Sequence, residues 1–341
     1  MGDSVHEFDL ELPDAVIAQE IVRLPDGFDF SKTNLLQILL LSKKPEERDP
    51  QRYAEIFQIA SMNPSVSLWM KYACRAEVIN ATRRMKGIDM ISIIENLGCL
   101  FDEAEKELPK EKNSYILLGD ILYSRGIARR GPRQYTDAAR DQLEAAQLFD
   151  TAGNKEKMYI SLFVALVEKA TAHFVVRNKD GIWKSVKEMI SMRAYIQHAV
   201  DPFPAWMEYN AHIHIRWAVA MARLIGVEIV YSDLDSDSKH WKEKSPAQWA
   251  KVAHAAEQYF AGKFSELAKQ DPINIQSSSA DNAGLSVKIF VALANRMLGL
   301  NSKGDLQIKY NREANDILKD VANHAGLDGG IPIAVAKHLL S

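Results

Sequence analysis

Four arginines crowd one short stretch of the chain, SRGIARRGPRQY, which carries Arg125, Arg129, Arg130 and Arg133. Arginine offers planar forks that grip phosphate or carboxylate oxygens in pairs. Arg125 and Arg129 stand one helical turn apart, and Gly131-Pro132 then ends the helix, so the spacing predicts a cationic tip. Tyr123 and Tyr135 flank it with rings that can stack on a base. Basic residues near a helix C-terminus also complement its dipole, which is a purely structural reason for the same pattern. A second basic group, Arg75, Arg83, Arg84 and Lys86, lies along and beyond the helix expected after Asn63-Pro64. If the two groups meet, they line a positive groove suited to single-stranded RNA or an acidic partner; apart, each is a solvated face.

Other chemistry finds no local signature. There is no G-x-x-x-x-G-K-[ST] and no G-x-G-x-x-G at a strand-to-helix turn, so phosphate cradling lacks its motif. G-x-S-x-G, H-E-x-x-H and the D-D-x-x-D helix motif of all-helical terpene cyclases are missing as well. His212 and His214 are two residues apart, which on a helix points them to different faces and favours structural roles over a shared metal. Glu208, one turn before His212, can pair with it on that helix face. Asp233, Asp235 and Asp237 copy the start of a calcium loop, but Ser238 and Lys244 stand where that loop needs Gly and Glu. Asn80-Ala81-Thr82 is formally a glycosylation sequence inside a helical segment. We therefore expect no catalytic residue, no metal and no cofactor.

The totals bound the answer further. A chain of 341 residues with 47% apolar and 26% charged residues buries enough surface to fold without disulfides or metals. A net charge of −3 confines any attraction to nucleic acid to local patches. Cys74 and Cys99 both fall in apolar helical segments and are expected to be reduced core residues of a cytoplasmic protein. The start, MGDSVHEFDLELP, is acidic and lacks the pattern of a secretory signal, and His6 stands where N-myristoylation wants Ser or Thr. The most apolar stretch, Trp217 to Tyr231, is interrupted by Arg223 and Glu228 and reads as a buried helix, so no membrane partner is expected.

The elements that must position these residues are helices almost throughout. Asp49-Pro50, Asn63-Pro64, Asp201-Pro202, Ser245-Pro246 and Asp271-Pro272 combine a capping side chain with a proline suited to the first helical turn. Apolar residues follow the i, i+3, i+4, i+7 spacing in sets such as Leu97, Leu100, Phe101 and Ala104, or Trp69, Tyr72, Ala73 and Ala76. The best internal strand candidate is Val227 to Tyr231. The expected fold is all-α, a two-lobed or helical-repeat-like array of about thirteen antiparallel helices. The polar run SDLDSDSKHWKEKS suggests an N-terminal lobe over 13–231 and a C-terminal lobe over 245–341. Residues 1–12 differ: Phe8, Leu10 and Leu12 alternate with acidic residues, the pattern of an extended arm able to dock on a second copy.

Tyr115, Leu118, Gly119 and Leu122, followed by Ala139, Leu143 and Ala146, resemble one tetratricopeptide-type helix hairpin over Tyr115 to Thr151. About eight extra residues around Arg125 to Arg133 lengthen the turn, and Thr151 replaces the closing proline. The resemblance implies packed antiparallel helix pairs and a protein-binding concave face. The function expected from all this is a non-enzymatic scaffold or adaptor with a protein partner or self-association. The alternative is an RNA-coating nucleoprotein of the negative-strand RNA virus type, by architecture alone, with a basic cleft and a linking arm.

Overall fold

The computed structural model describes residues 50–62, 67–83, 85, 87–199, 205–227, 247–270, 282–323 and 331–341. Thirteen helices and no strand occur among them, so the fold is all-α. The chain divides into two compact units at Thr82 and Arg83. The expected extended arm over 1–12, with Phe8, Leu10 and Leu12, lies outside the described residues, as do Arg84, Lys86, the aspartates at 233–237 and residues 228–231 of the strand candidate.

The described residues of the first unit form a helix pair, α1 (Pro50–Met62) and α2 (Leu68–Thr82), packed on one another. α1 starts at the proline that Asp49-Pro50 suggested, and α2 is capped by the Ser67 hydroxyl, which accepts from Met70 N at 3.3 Å. Phe57 and Ala60 of α1 and Tyr72, Ala73 and Ala76 of α2 are buried, as the helical spacing requires. Cys74 is buried with them, and burial, with Glu77 nearby, pushes its thiol up to about 12.

The second unit opens with four helices joined by short turns: α3 (Met90–Glu107), α4 (Lys112–Ala128), α5 (Tyr135–Thr151) and α6 (Lys155–Val175). Each packs on its successor, which short connections enforce. Asp89 caps α3, accepting from Ile91 N and Ser92 N at 3.1 and 3.2 Å. Leu97, Leu100 and Ala104 bury one face of α3. Cys99 falls on the opposite face, with Glu95, Asp102 and Glu103, and is exposed. The expectation that both thiols lie in the core is thus corrected for Cys99: the helical period that buries Leu97 and Leu100 turns the residue between them outward.

Beyond α6 come α7 (Lys179–Ala199), α8 (Ala205–Leu224), α9 (Ala247–Phe260), the short α10 (Phe264–Ala268), α11 (Asn282–Leu300), α12 (Asp305–Ala322) and α13 (Ile331–Leu340). Among the described residues α6 alone is long and apolar enough to cross a membrane, and most of it is buried inside the fold. One apolar core runs from Phe163 on α6 to Ala336 on α13. Trp217 of α8 stacks on Phe290 of α11 with centroids 4.8 Å apart, so this core joins helices from both sides of 231–245. The polar run itself lies outside the described residues over 228–246, and a run of charged residues reports solvent contact and not whether a core crosses it.

In the α4–α5 hairpin, Gly119 lets the helices close up. A Cβ there would sit 2.6 Å from the Phe149 ring, and Phe149 is itself buried between Leu122 and Ala145. Gly119→Val should therefore lower the free energy of unfolding by about 1–3 kcal/mol through overpacking. Urea titration followed by circular dichroism measures it, and an unchanged midpoint would show that the hairpin has room to spare.

Candidate functional site

The arginine-rich turn between α4 and α5 is built around buried carboxylates. Asp141 of α5 has a side chain 3% exposed and accepts from two guanidinium groups. Arg125 donates to it through Nε at 3.0 Å and Nη2 at 2.7 Å, and Arg129 through Nε at 2.7 Å. Arg129 also donates from Nη1 to Gln134 Oε1 at 2.8 Å. Arg130 reaches α6, where it pairs with Glu168, a side chain with no exposure. The Arg125 guanidinium also lies over the Phe101 ring of α3 at 5.9 Å. Burial opposes the charge of Arg125, but its hydrogen bonds and charge contact with Asp141 outweigh that, and its pKa is raised.

Three of the four arginines are thus committed to carboxylates inside the fold, and the expected cationic tip becomes an internal brace across α3, α4, α5 and α6. Arg133 is exposed, at a φ of 63°, a left-handed conformation that helps turn the chain into α5. Tyr135 is 3% exposed, and burial together with the Glu168 charge pushes its hydroxyl up to about 12, so its ring offers no face to a base. Of the second basic group, Arg75 belongs to the first unit and lies over the Tyr72 ring at 5.2 Å, and Arg83, at the start of the second unit, is 8% exposed.

Beside this brace α4, α5, α6, α7 and α8 enclose a cleft of about 350 Å³. Its apolar wall comes from Phe149, Ile160, Phe163, Val164, Ile196 and Ala211. Tyr123 of α4 belongs to this wall. Lys157 and Asp120 also line it, with Lys157 Nζ donating to both Asp120 oxygens at 2.7 Å and lying 5.4 Å from the Phe149 ring centre. Arg193 of α7 adds a guanidinium.

Two polar groups in this lining lack partners. Ser161 has no exposure, and its Oγ makes no hydrogen bond. His214 Nδ1 is likewise shut off from solvent and unpartnered, while its ring stacks on Phe163 at 6.1 Å. Burial, with the positive charge of Arg130 nearby, pushes the His214 imidazole down to about 4, so it is neutral at physiological pH. No three His, Cys, Asp or Glu side chains among the described residues come together in a metal-binding group, and the side chain of His212 lies outside the described ones.

Ser161, Lys157, Asp120 and Arg193 were not singled out from the sequence. Ser161 had a signal: it is a small polar residue inside the apolar run YISLFVALV, where a hydroxyl needs a reason. Asp120 and Lys157 had none, since they lie on different helices and meet only in the fold. Comparison with protein-family models, with curated proteins and with solved structures finds no significant match to this chain.

Two outcomes follow from the site. Asp141→Asn would leave two part-buried guanidinium groups without their counter-ion, and the free energy of unfolding should fall by about 3 kcal/mol or more in urea titrations; a change within error would mean the brace is dispensable. For His214 the folded pKa lies below the unfolded value of about 6.5, so its contribution is complete above that pH and is lost as pH falls towards 4. The difference in stability between the wild type and His214→Gln should therefore shrink or reverse on going from pH 7 to pH 4.5, and a constant difference would refute the neutral, buried imidazole.

Proposed function

We propose that the chain is a non-enzymatic helical binding protein and that the cleft among α4, α5, α6, α7 and α8 holds its guest. What carries the reading is the coincidence of an apolar cleft of about 350 Å³ with two buried polar atoms, Ser161 Oγ and His214 Nδ1, that no protein group satisfies. Buried polar atoms are almost always paired, and leaving one unpaired costs about 1–3 kcal/mol. A guest that supplies the missing partners recovers that cost on binding. The volume suits a small molecule better than the broad concave face of an adaptor, which narrows the scaffold reading to a pocket.

Binding is favoured over catalysis by the state of the same two residues. The Ser161 hydroxyl has no base within hydrogen-bonding distance, and an imidazole titrating at about 4 is a weak proton acceptor at neutral pH. The RNA-coating alternative draws less support from the brace, because Arg125, Arg129 and Arg130 already pair with Asp141 and Glu168 and the Tyr135 ring is enclosed.

A neutral apolar dye tests the cleft directly. N-phenyl-1-naphthylamine should bind saturably with one site per chain, and Ile160→Trp, which fills the cleft from its wall, should weaken binding by about tenfold or more. Fluorescence titration reads both. A response that never saturates, or one indifferent to Ile160→Trp, overturns the reading.

A further inference from the structure

We infer that the guest is an amphipathic carboxylate, an apolar body of about ten carbons whose head group lies against Ser161, His214 and Arg193. The inference rests on the reading of this cleft as the binding site and adds the chemistry of what fills it. Volume sets the size: at roughly 30 Å³ for a group as large as a water molecule, the cleft of about 350 Å³ holds a medium-length chain or a two-ring aromatic. The wall of Phe149, Ile160, Phe163, Val164, Ile196 and Ala211 gives such a body nothing but carbon to meet.

The head group follows from the polar lining. Ser161 Oγ brings an O–H that donates to nothing in the protein, and the neutral imidazole of His214 can carry its N–H on the unpartnered Nδ1. Each can therefore donate to an acceptor that a guest supplies. Lys157, Arg193 and Asp120 are the charged groups among the described lining residues. That carboxylate has both oxygens occupied by Lys157 Nζ at 2.7 Å, so it offers little to a cationic head. A guanidinium carries five N–H donors and can serve a guest alongside other acceptors. An anionic oxygen satisfies the hydroxyl and the imidazole and is attracted by Arg193, whereas an alcohol meets the hydrogen bonds without the charge, and an ammonium is repelled.

The test compares three ten-carbon probes on the full chain by isothermal titration calorimetry at pH 7, below the concentrations at which they form micelles: decanoate, decan-1-ol and decylamine. Decanoate should saturate at one site and bind about tenfold tighter than decan-1-ol, in line with the extra strength of a charge-assisted hydrogen bond, with decylamine the weakest. Arg193→Gln should erase most of the decanoate advantage while leaving decan-1-ol unchanged, and Ser161→Ala should weaken decanoate by a smaller factor. Circular dichroism checks that each variant folds, and if one does not, the ranking of the three probes on the wild type decides alone. Equal binding of decanoate and decan-1-ol, or tightest binding of decylamine, overturns the inference. If the neutral dye still binds saturably in that case, only the head-group assignment falls; if neither dye nor any ten-carbon probe saturates, the binding reading of the cleft falls with it.

Discussion

Everything around the α4–α5 turn depends on Asp141 being a buried anion. Its two oxygens receive two guanidinium groups from the preceding helix and turn, which fixes the end of α4 against α5 and holds Arg125 against α3. Isolated buried ion pairs often fail to repay their desolvation, but here one carboxylate is shared by two arginines whose outer edges keep some contact with water. Removing the carboxylate from such an arrangement is costly because it strands two part-buried charges, whatever the intact network contributes. Arg130 extends it to Glu168 on α6, where burial raises the carboxyl's pKa and Arg130 works against that rise. The cleft is therefore assembled next to this charge network, and the Arg130 charge adds to the burial that lowers the His214 pKa.

The helices themselves were legible in the sequence, because helical periodicity is a local property. Leu97, Leu100 and Ala104 announce their face through spacing alone, and Pro50 marks a start through its own geometry. An apolar neighbourhood in sequence is a weaker guide: it suggests burial for Cys99, but the helix turns that position to solvent. The arginine cluster shows a second limit. Its residue types and spacing are plain in the sequence, but its partners Asp141 and Glu168 lie 12 to 38 residues away, and no pattern local to the turn names them.

A signal for those partners did exist. Asp141 stands among Ala138, Ala139, Ala145 and Ala146, all of which are buried, and Glu168 interrupts a face otherwise formed by Ala165 and Thr171. A charged residue set into a buried small-residue face demands a counter-charge, and a nearby run of arginines is the obvious supply. The cleft had no comparable trace. It needs five helices in register before Ser161, His214 and Arg193 share one wall, so it is a property of packing and not of any segment.

Helix α8 is enclosed on every side along its stretch from Ile215 to Ala222. From Ile215 to Ala222 every residue is buried, Arg216 among them, and Trp217 stacks on a ring from α11. Several of these residues are alanines, which let neighbouring backbones approach from all directions. During synthesis α8 is made before α9 to α13, whose residues complete the core around it. A chain that has emerged only as far as α8 therefore has α6 and α7 against that helix but leaves the face that later meets α11 exposed, and such transiently exposed apolar surface is open to aggregation until α11 follows.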